Sequence, residues 1–157
     1  MQGESIIQSN MAERIFELTV ADAVYVEPIQ KLLAQLSSSP VHFEKKDLEA
    51  LVADCASQLF LLECDGAIVG MLTLCSYLAP TGRKLWIEDV VVDGAMRGRA
   101  YGRRLVEFAI ERAAEKGEGT LMLTSKPARV AANALYRSAG FQPKETNVYR
   151  FPIGVKD

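Results

Sequence analysis

From residue 14 to residue 20 the chain alternates, with Phe16, Leu18 and Val20 apolar, Glu17 and Thr19 polar, and Ile15 adding apolar character at the start. A period of two predicts a half-buried strand. Behind Asp22, a residue suited to cap a helix, the period lengthens: Val26, Ile29, Leu32, Leu33 and Leu36 recur at helical spacing until Ser37-Ser38-Ser39-Pro40 ends the run. A second short helix is predicted over about 44–55, with Leu48, Leu51 and Val52 on one side. Residues 58–64 and 67–77 read as apolar strands joined by Asp65-Gly66, a strong two-residue hairpin signal. Ala79-Pro80-Thr81-Gly82 then turns the chain into a third consecutive strand over 84–92.

Leu105, Val106, Ala109, Ile110 and Ala113 form the broad apolar face of a helix over about 102–116, with Gly117 as its natural C-cap. Residues 120–125 read as another strand, so strand, helix and strand make a right-handed βαβ unit with parallel strands. A last helix over about 128–139 is preceded by Pro127 and stopped by Gly140, and strands near 141–143 and 147–153 close the chain. There are no internal repeats and no low-complexity segment.

The junction between strand 84–92 and helix 102–116 carries the most chemistry. Amide N–H groups without intrahelical partners point out of a helix start, and the peptide dipoles add partial positive charge there, which makes such an end an anion site. Small residues at Gly98, Ala100 and Gly102 let a phosphate approach the backbone, and Arg97, Arg99, Arg103 and Arg104 add forked guanidinium donors. Cations at a helix start oppose the dipole, so four arginines there call for a compensating anion. The βαβ unit puts this turn at the carboxyl end of its strand, the edge where open α/β sheets bind ligands.

Length and composition narrow the classes. At 157 residues the chain is one domain, with residues 1–10 read as a loose polar arm and 11–157 as the folded unit. Apolar and charged fractions of 49% and 24% are those of a globular protein, and no apolar run is long enough to span a bilayer. The arm lacks the basic start and apolar stretch of a secretory signal. Cys55, Cys64 and Cys75 match no zinc or dithiol spacing and fall in apolar elements, so buried thiols in a reducing cytoplasm are expected. A net charge of −2 argues against a general nucleic-acid role. His42, the only histidine, excludes a multi-histidine metal site and leaves one base for a Ser-His-Asp arrangement, with no nucleophile motif near it.

Two polar groups interrupt apolar elements. Glu88 and Asp89 sit in an otherwise apolar strand, where alternation points them to opposite faces. A buried carboxylate needs a partner or a cleft, so Glu88 is either a general base with a raised pKa or a satisfied carboxylate that pins the strand. Arg129, Asn133 and Tyr136 share one stripe of the last helix and can reach a ligand together, although a tyrosine at that spacing is also an ordinary core residue.

The segment 87–105 with Arg97-x-x-Ala100-x-Gly102, followed by Leu123-Thr124-Ser125 and by Ala132-Asn133-x-Leu135-Tyr136-x-x-Ala139-Gly140-Phe141, resembles the GNAT superfamily of acetyl-CoA-dependent N-acetyltransferases. Element order over 14–153 agrees with it. The resemblance implies an α/β (α+β) fold: a mixed, mostly antiparallel central sheet with a parallel βαβ unit at the coenzyme site and about four helices. It also implies acetyl-CoA as co-substrate, no metal, and a small-molecule or protein amine as acceptor. Arg97, Gly98, Arg99, Ala100, Tyr101, Gly102 and Arg103 match the family's pyrophosphate loop. The backbone of Val90, Val91 and Val92 matches the strand that pairs with the pantetheine arm, and Asn133 matches a residue that contacts coenzyme A. Tyr136 matches the tyrosine that protonates the departing thiolate, and Glu88 the carboxylate that deprotonates the amine, directly or through water. Ala100 stands where the family usually has its first paired glycine.

These residues point to acetyl transfer onto a primary amine by direct attack in the cytoplasm, with no nucleic-acid or membrane partner. The competing reading is a non-catalytic acetyl-CoA sensor of the same fold. The acceptor is not written in any motif, and the oligomeric state stays open between monomer and homodimer. No Gly-Lys-Ser/Thr closes the turn, which sets it apart from a P-loop.

Overall fold

The computed structural model describes residues 12–154. The arm read over residues 1–10 lies outside the described residues. Strand β1 (Glu13–Glu17) leads through Asp22, whose carboxylate accepts from Val24 N at 3.0 Å, and a single 3-10 turn (Ala23–Tyr25) into α1 (Val26–Leu36). Helix α2 (Lys45–Ala53) opens with a reciprocal cap between Glu44 and Asp47. Then come β2 (Ser57–Cys64), β3 (Ala67–Ala79) and β4 (Gly82–Val92), followed by a 3-10 turn (Gly94–Met96), α3 (Tyr101–Ala114), β5 (Gly119–Met122) and α4 (Val130–Ser138).

The five strands form one sheet in the order β1-β2-β3-β4-β5, antiparallel except for the parallel β4–β5 pair. Asp65 and Gly66 both take positive φ, 49° and 81°, the geometry a tight β2–β3 hairpin demands. Strand alternation divides the core by parity. Phe60, Leu62, Leu72, Leu74, Leu85 and Ile87 pack with Leu105 and Ala109 of α3, whereas Leu59, Leu61 and Met71 pack with Ile29, Leu32 and Leu48 of α1 and α2. Gly70 lets α3 settle close to the sheet, because a Cβ there would lie 3.1 Å from Leu105 Cδ1 and 3.2 Å from the Val91 carbonyl.

Three expectations are corrected. Residues 141–154 contain no strand: Val148, Tyr149, Phe151 and Ile153 alternate as a strand should but are exposed, and a strand pattern without a neighbouring edge has no ladder to join. Helix α2 ends at Ala53, so Cys55 falls in the following turn and is exposed; only Cys64 is buried, with Cys75 intermediate. Glu88 and Asp89 do not simply alternate, because a bulge lies between β3 and β4. No helix among the described residues is long and apolar enough to cross a membrane.

Candidate active site

Parallel pairing of β4 with β5 runs only from Arg83↔Gly119 to Trp86↔Met122. Beyond Trp86, β4 continues to Val92 with β3 on one side and, among the described residues, no strand on the other. Val90, Val91 and Val92 therefore lie along an open backbone edge. Within this stretch Met71↔Val91 is followed by Thr73↔Glu88, so Leu72 alone faces Asp89 and Val90. Asp89 takes φ +51° there. Such a bulge interrupts the ladder, bends the strand and re-aims its groups. Its effect shows in the core: Leu85 and Ile87 face α3 before it, and after it Val90 and Val92 pack on that face while Val91 joins the opposite one. Glu88 sits at this interruption. Glu88 is exposed, which corrects the expectation of a buried carboxylate, but partial desolvation by its surroundings still raises its pKa above the ordinary carboxylate value, and the neighbouring Asp89 charge adds to the shift.

From β4 the chain passes Asp93, whose carboxylate accepts from Ala95 N at 3.0 Å, and reaches α3 through Arg97-Gly98-Arg99-Ala100. Gly98 and Ala100 are both left-handed, at φ +79° and +59°. Ala100 is the N-cap and offers no side-chain hydrogen bond; the first intrahelical bond is Arg104 N to Ala100 O at 3.0 Å. The amides that open α3 consequently keep their donors for a ligand. An L-residue in this conformation costs about 1–2 kcal/mol, and the extra freedom of an unfolded glycine returns about 0.4–1 kcal/mol of that. Ala100→Gly is therefore expected to stabilise the fold by about 0.5–1 kcal/mol and raise Tm by a few degrees. Ala100→Val, with a branched Cβ in the left-handed region, should do the reverse and more strongly, and thermal melts check both.

The arginines divide. Arg97 and Arg99 are exposed on the turn. Arg103 pairs with Glu107 at 2.7 Å and donates to Ser138 Oγ at 2.9 Å, tying α3 to α4. Arg104 pairs with Glu13 at the start of β1. Arg103 and Arg104 thus have carboxylate partners, which corrects the expectation that all four call for an external anion. Glu13 also accepts from the buried Tyr101 hydroxyl, whose oxygen lies 3.5 Å from Cys64 Sγ. Bound chiefly to Glu13, the phenol is pushed up to about 12, and the Glu13 carboxyl is lowered, first by that same hydrogen bond. Sequence reading missed Glu13 as a site residue, since nothing local marks it.

Helix α4 stands beside the start of α3, where a Cβ on Gly102 would lie 3.3 Å from Leu135 Cδ1; the small residue serves helix packing. Tyr136 is buried, edge-to-face with Phe141 at 6.1 Å, and burial raises its pKa while Arg129 opposes. Asn133 donates both amide hydrogens inward, to the carbonyls of Lys126 and Arg129 at 2.9 Å each, and pins the loop before α4. Only its oxygen remains to meet a ligand. A cleft of about 330 Å³ lies against this face, lined by Ser125, Pro127, Val130, Asn133 and Arg137, and the buried Ser125 Oγ has no hydrogen-bond partner among the described residues.

An open strand edge thus lies beside an uncapped, glycine-spaced helix start, and residues 17–141 match the acetyltransferase (GNAT) family. The chain belongs to that family and is an acetyltransferase by class. It is 32% identical over 127 residues to glucosamine 6-phosphate N-acetyltransferase 1 of Oryza sativa subsp. japonica, covering 74% of each chain. A putative acetyltransferase from Agrobacterium tumefaciens str. C58 superposes with a TM-score of 0.78 at 25% identity, over 88% of this chain and 99% of that one. An aminoglycoside N-acetyltransferase in complex with CoA shares the fold, with a TM-score of 0.75 at 15% identity over 94% and 99%.

Proposed function

We infer that the protein transfers an acetyl group from acetyl-CoA to a primary amine by direct attack, without a covalent enzyme intermediate. One observation carries this reading: the open edge of β4 at Val90–Val92 leads within a few residues into the uncapped start of α3. An amide-bearing pantetheine arm fits the edge as an added strand, and the pyrophosphate fits the amides of residues 98–103 with Arg97 beside them. The relative crystallised with CoA supports acetyl-CoA as the co-substrate.

In the reaction the amine nitrogen forms a bond to the thioester carbonyl carbon and the C–S bond breaks. The amine, with an unperturbed pKa of about 10, first gives up a proton to Glu88 or to a water that it holds. Backbone N–H groups freed by the bulge at Asp89 can face the developing oxyanion. Tyr136 gives its proton to the departing thiolate, and the second proton that the nitrogen loses as the amide forms restores the phenol, directly or through water. Bringing the two substrates together supplies much of the remaining acceleration.

Thiol release from acetyl-CoA with a panel of amino sugars, their phosphates, aminoglycosides and peptides tests the reading. The rice relative's name places a sugar-phosphate amine first in that panel. Turnover on at least one amine is expected; tight coenzyme binding with no turnover on any would favour the sensor. Calorimetry should show Arg97→Ala weakening acetyl-CoA binding, with a wild-type affinity that falls as salt rises. Unchanged affinity in Arg97→Ala and no salt dependence would remove the turn from the coenzyme site.

A further inference from the structure

Strand parity gathers several polar side chains and the single tryptophan on one stretch of the sheet. Leu59 and Met71 face α1 and α2, so Ser57, Thr73 and Cys75, an even number of residues along the same strands, face that way too. Trp86 and Glu88 join them, because Leu85 and Ile87 between and beside them face α3. The register agrees: Cys75 lies between Ser57 and Trp86, its Sγ 3.7 Å from Ser57 Oγ, and Thr73 lies opposite Glu88. Trp86 is partly buried yet belongs to neither apolar cluster, so its ring is not accounted for by the core.

Thr73 points more directly to a ligand. It is only 9% exposed, and its hydroxyl has no hydrogen-bond partner among the described residues, an arrangement that costs free energy unless something occupies the site. Glu88 across from it has no ion-pair partner among the described residues either. Directly opposed residues hold their Cβ atoms about 4.5–5.5 Å apart, which leaves room for one ammonium to donate to both oxygens.

The surrounding charge selects what else the ligand carries. Asp89 adjoins Glu88, and Asp54, which accepts from Ala56 N at 3.1 Å, lies beside Ser57. Cys75 registers all three carboxylates: burial pushes its thiol up against the Ser57 hydrogen bond, and Glu88, Asp54 and Asp89 add to the rise. The lysines of α1 and α2 are already paired, Lys31 with Asp93, Lys45 with Glu49 and Lys46 with Glu44. Lys84 shares the face of Trp86 but stands four residues, about 13 Å, from Glu88. We propose that this stretch is the acceptor shelf and takes an amine with further positive charge and no phosphate, its reacting ammonium between Thr73 and Glu88 and a second cationic group over Trp86. Trp86 is two residues, about 7 Å, along the strand from Glu88, a spacing that suits a short diamine. The proposal rests on the acetyl-transfer reading and adds the acceptor class to it.

Steady-state kinetics with putrescine, n-butylamine and the phosphate ester of glucosamine test it. Putrescine should exceed the phosphate ester in kcat/KM by about tenfold or more, since like charges meet poorly, and should exceed n-butylamine, which lacks the second ammonium. Thr73→Val keeps the shape and deletes the hydroxyl, so the KM for putrescine should rise about tenfold while calorimetry shows unchanged acetyl-CoA affinity. Thr73→Ser should restore the KM, which a packing role for the lost methyl would not allow. Trp86→Leu should remove the advantage of putrescine over n-butylamine. A preference for the phosphate ester, or a normal putrescine KM in Thr73→Val, would overturn the proposal and leave acetyl transfer standing. Coenzyme binding with no turnover on any amine would overturn both.

Discussion

Tyr136→Phe is expected to lower turnover by roughly ten- to ten-thousand-fold while leaving acetyl-CoA affinity within a few-fold of wild type. The ring is buried against Phe141, and phenylalanine keeps that packing. What disappears is a proton donor. In water a phenol of pKa about 10 is a poorer acid than a thiol of about 8.5. Burial pushes Tyr136 further up, so it stays protonated at every working pH. The same dry surroundings raise the pKa of a thiolate formed beside it, and transfer then becomes favourable as the C–S bond breaks. The hydroxyl has no hydrogen-bond partner among the described residues, so its removal should shift stability by no more than about 0.5 kcal/mol. Steady-state kinetics, calorimetry and a thermal melt on one preparation decide the matter. Unchanged turnover would take the acid role from Tyr136, and a large loss of stability would make it a packing residue.

Glu88→Gln should slow turnover and stabilise the fold together. The sign follows from the direction of its shift. Burial and the Asp89 charge raise the folded-state pKa, so the folded protein holds this proton more tightly than the unfolded chain does. Stability is then fullest below the ordinary carboxylate pKa and is lost as pH climbs through the raised value. Glutamine removes that loss, and its melting temperature should fall less than that of wild type as the pH is taken from the acid side of the titration to neutrality. Turnover should move the other way, with the deficit largest above the carboxylate's pKa and below the amine's and shrinking where the amine deprotonates unaided. Asp89→Asn is the local control. A Glu88→Gln enzyme with a normal pH–rate profile would leave Glu88 as a carboxylate that only shapes the bulge.

Much of this architecture was legible from periodicity. The stripe from Val26 to Leu36, the Asp65-Gly66 turn and the change of period at Tyr101 each set a local preference that packing reinforced. The bulge at Asp89 was not legible, because its apolar neighbours read equally well as an uninterrupted strand and only the pairing with Leu72 reveals the extra residue. Alternation around Tyr149 and Phe151 predicts a strand that the structure does not form, because a period of two sets a preference and does not supply a neighbouring edge. The arginine turn stands out in the sequence as a candidate anion site. How its charges are shared was hidden, since the carboxylate that answers Arg104 lies at the far end of the chain.

That distance orders assembly. Glu13 is 88 residues from Tyr101 and 91 from Arg104, so its bridge to the start of α3 closes most of the domain into one loop. Closing a loop of that length carries an entropic cost, and contacts of such separation slow folding. The turn before α3 therefore gains its brace only where β1 has docked. A proteolysed chain lacking its first strand would carry every residue of the turn and still have no brace behind it, so that any ligand of the turn would report on the finished fold.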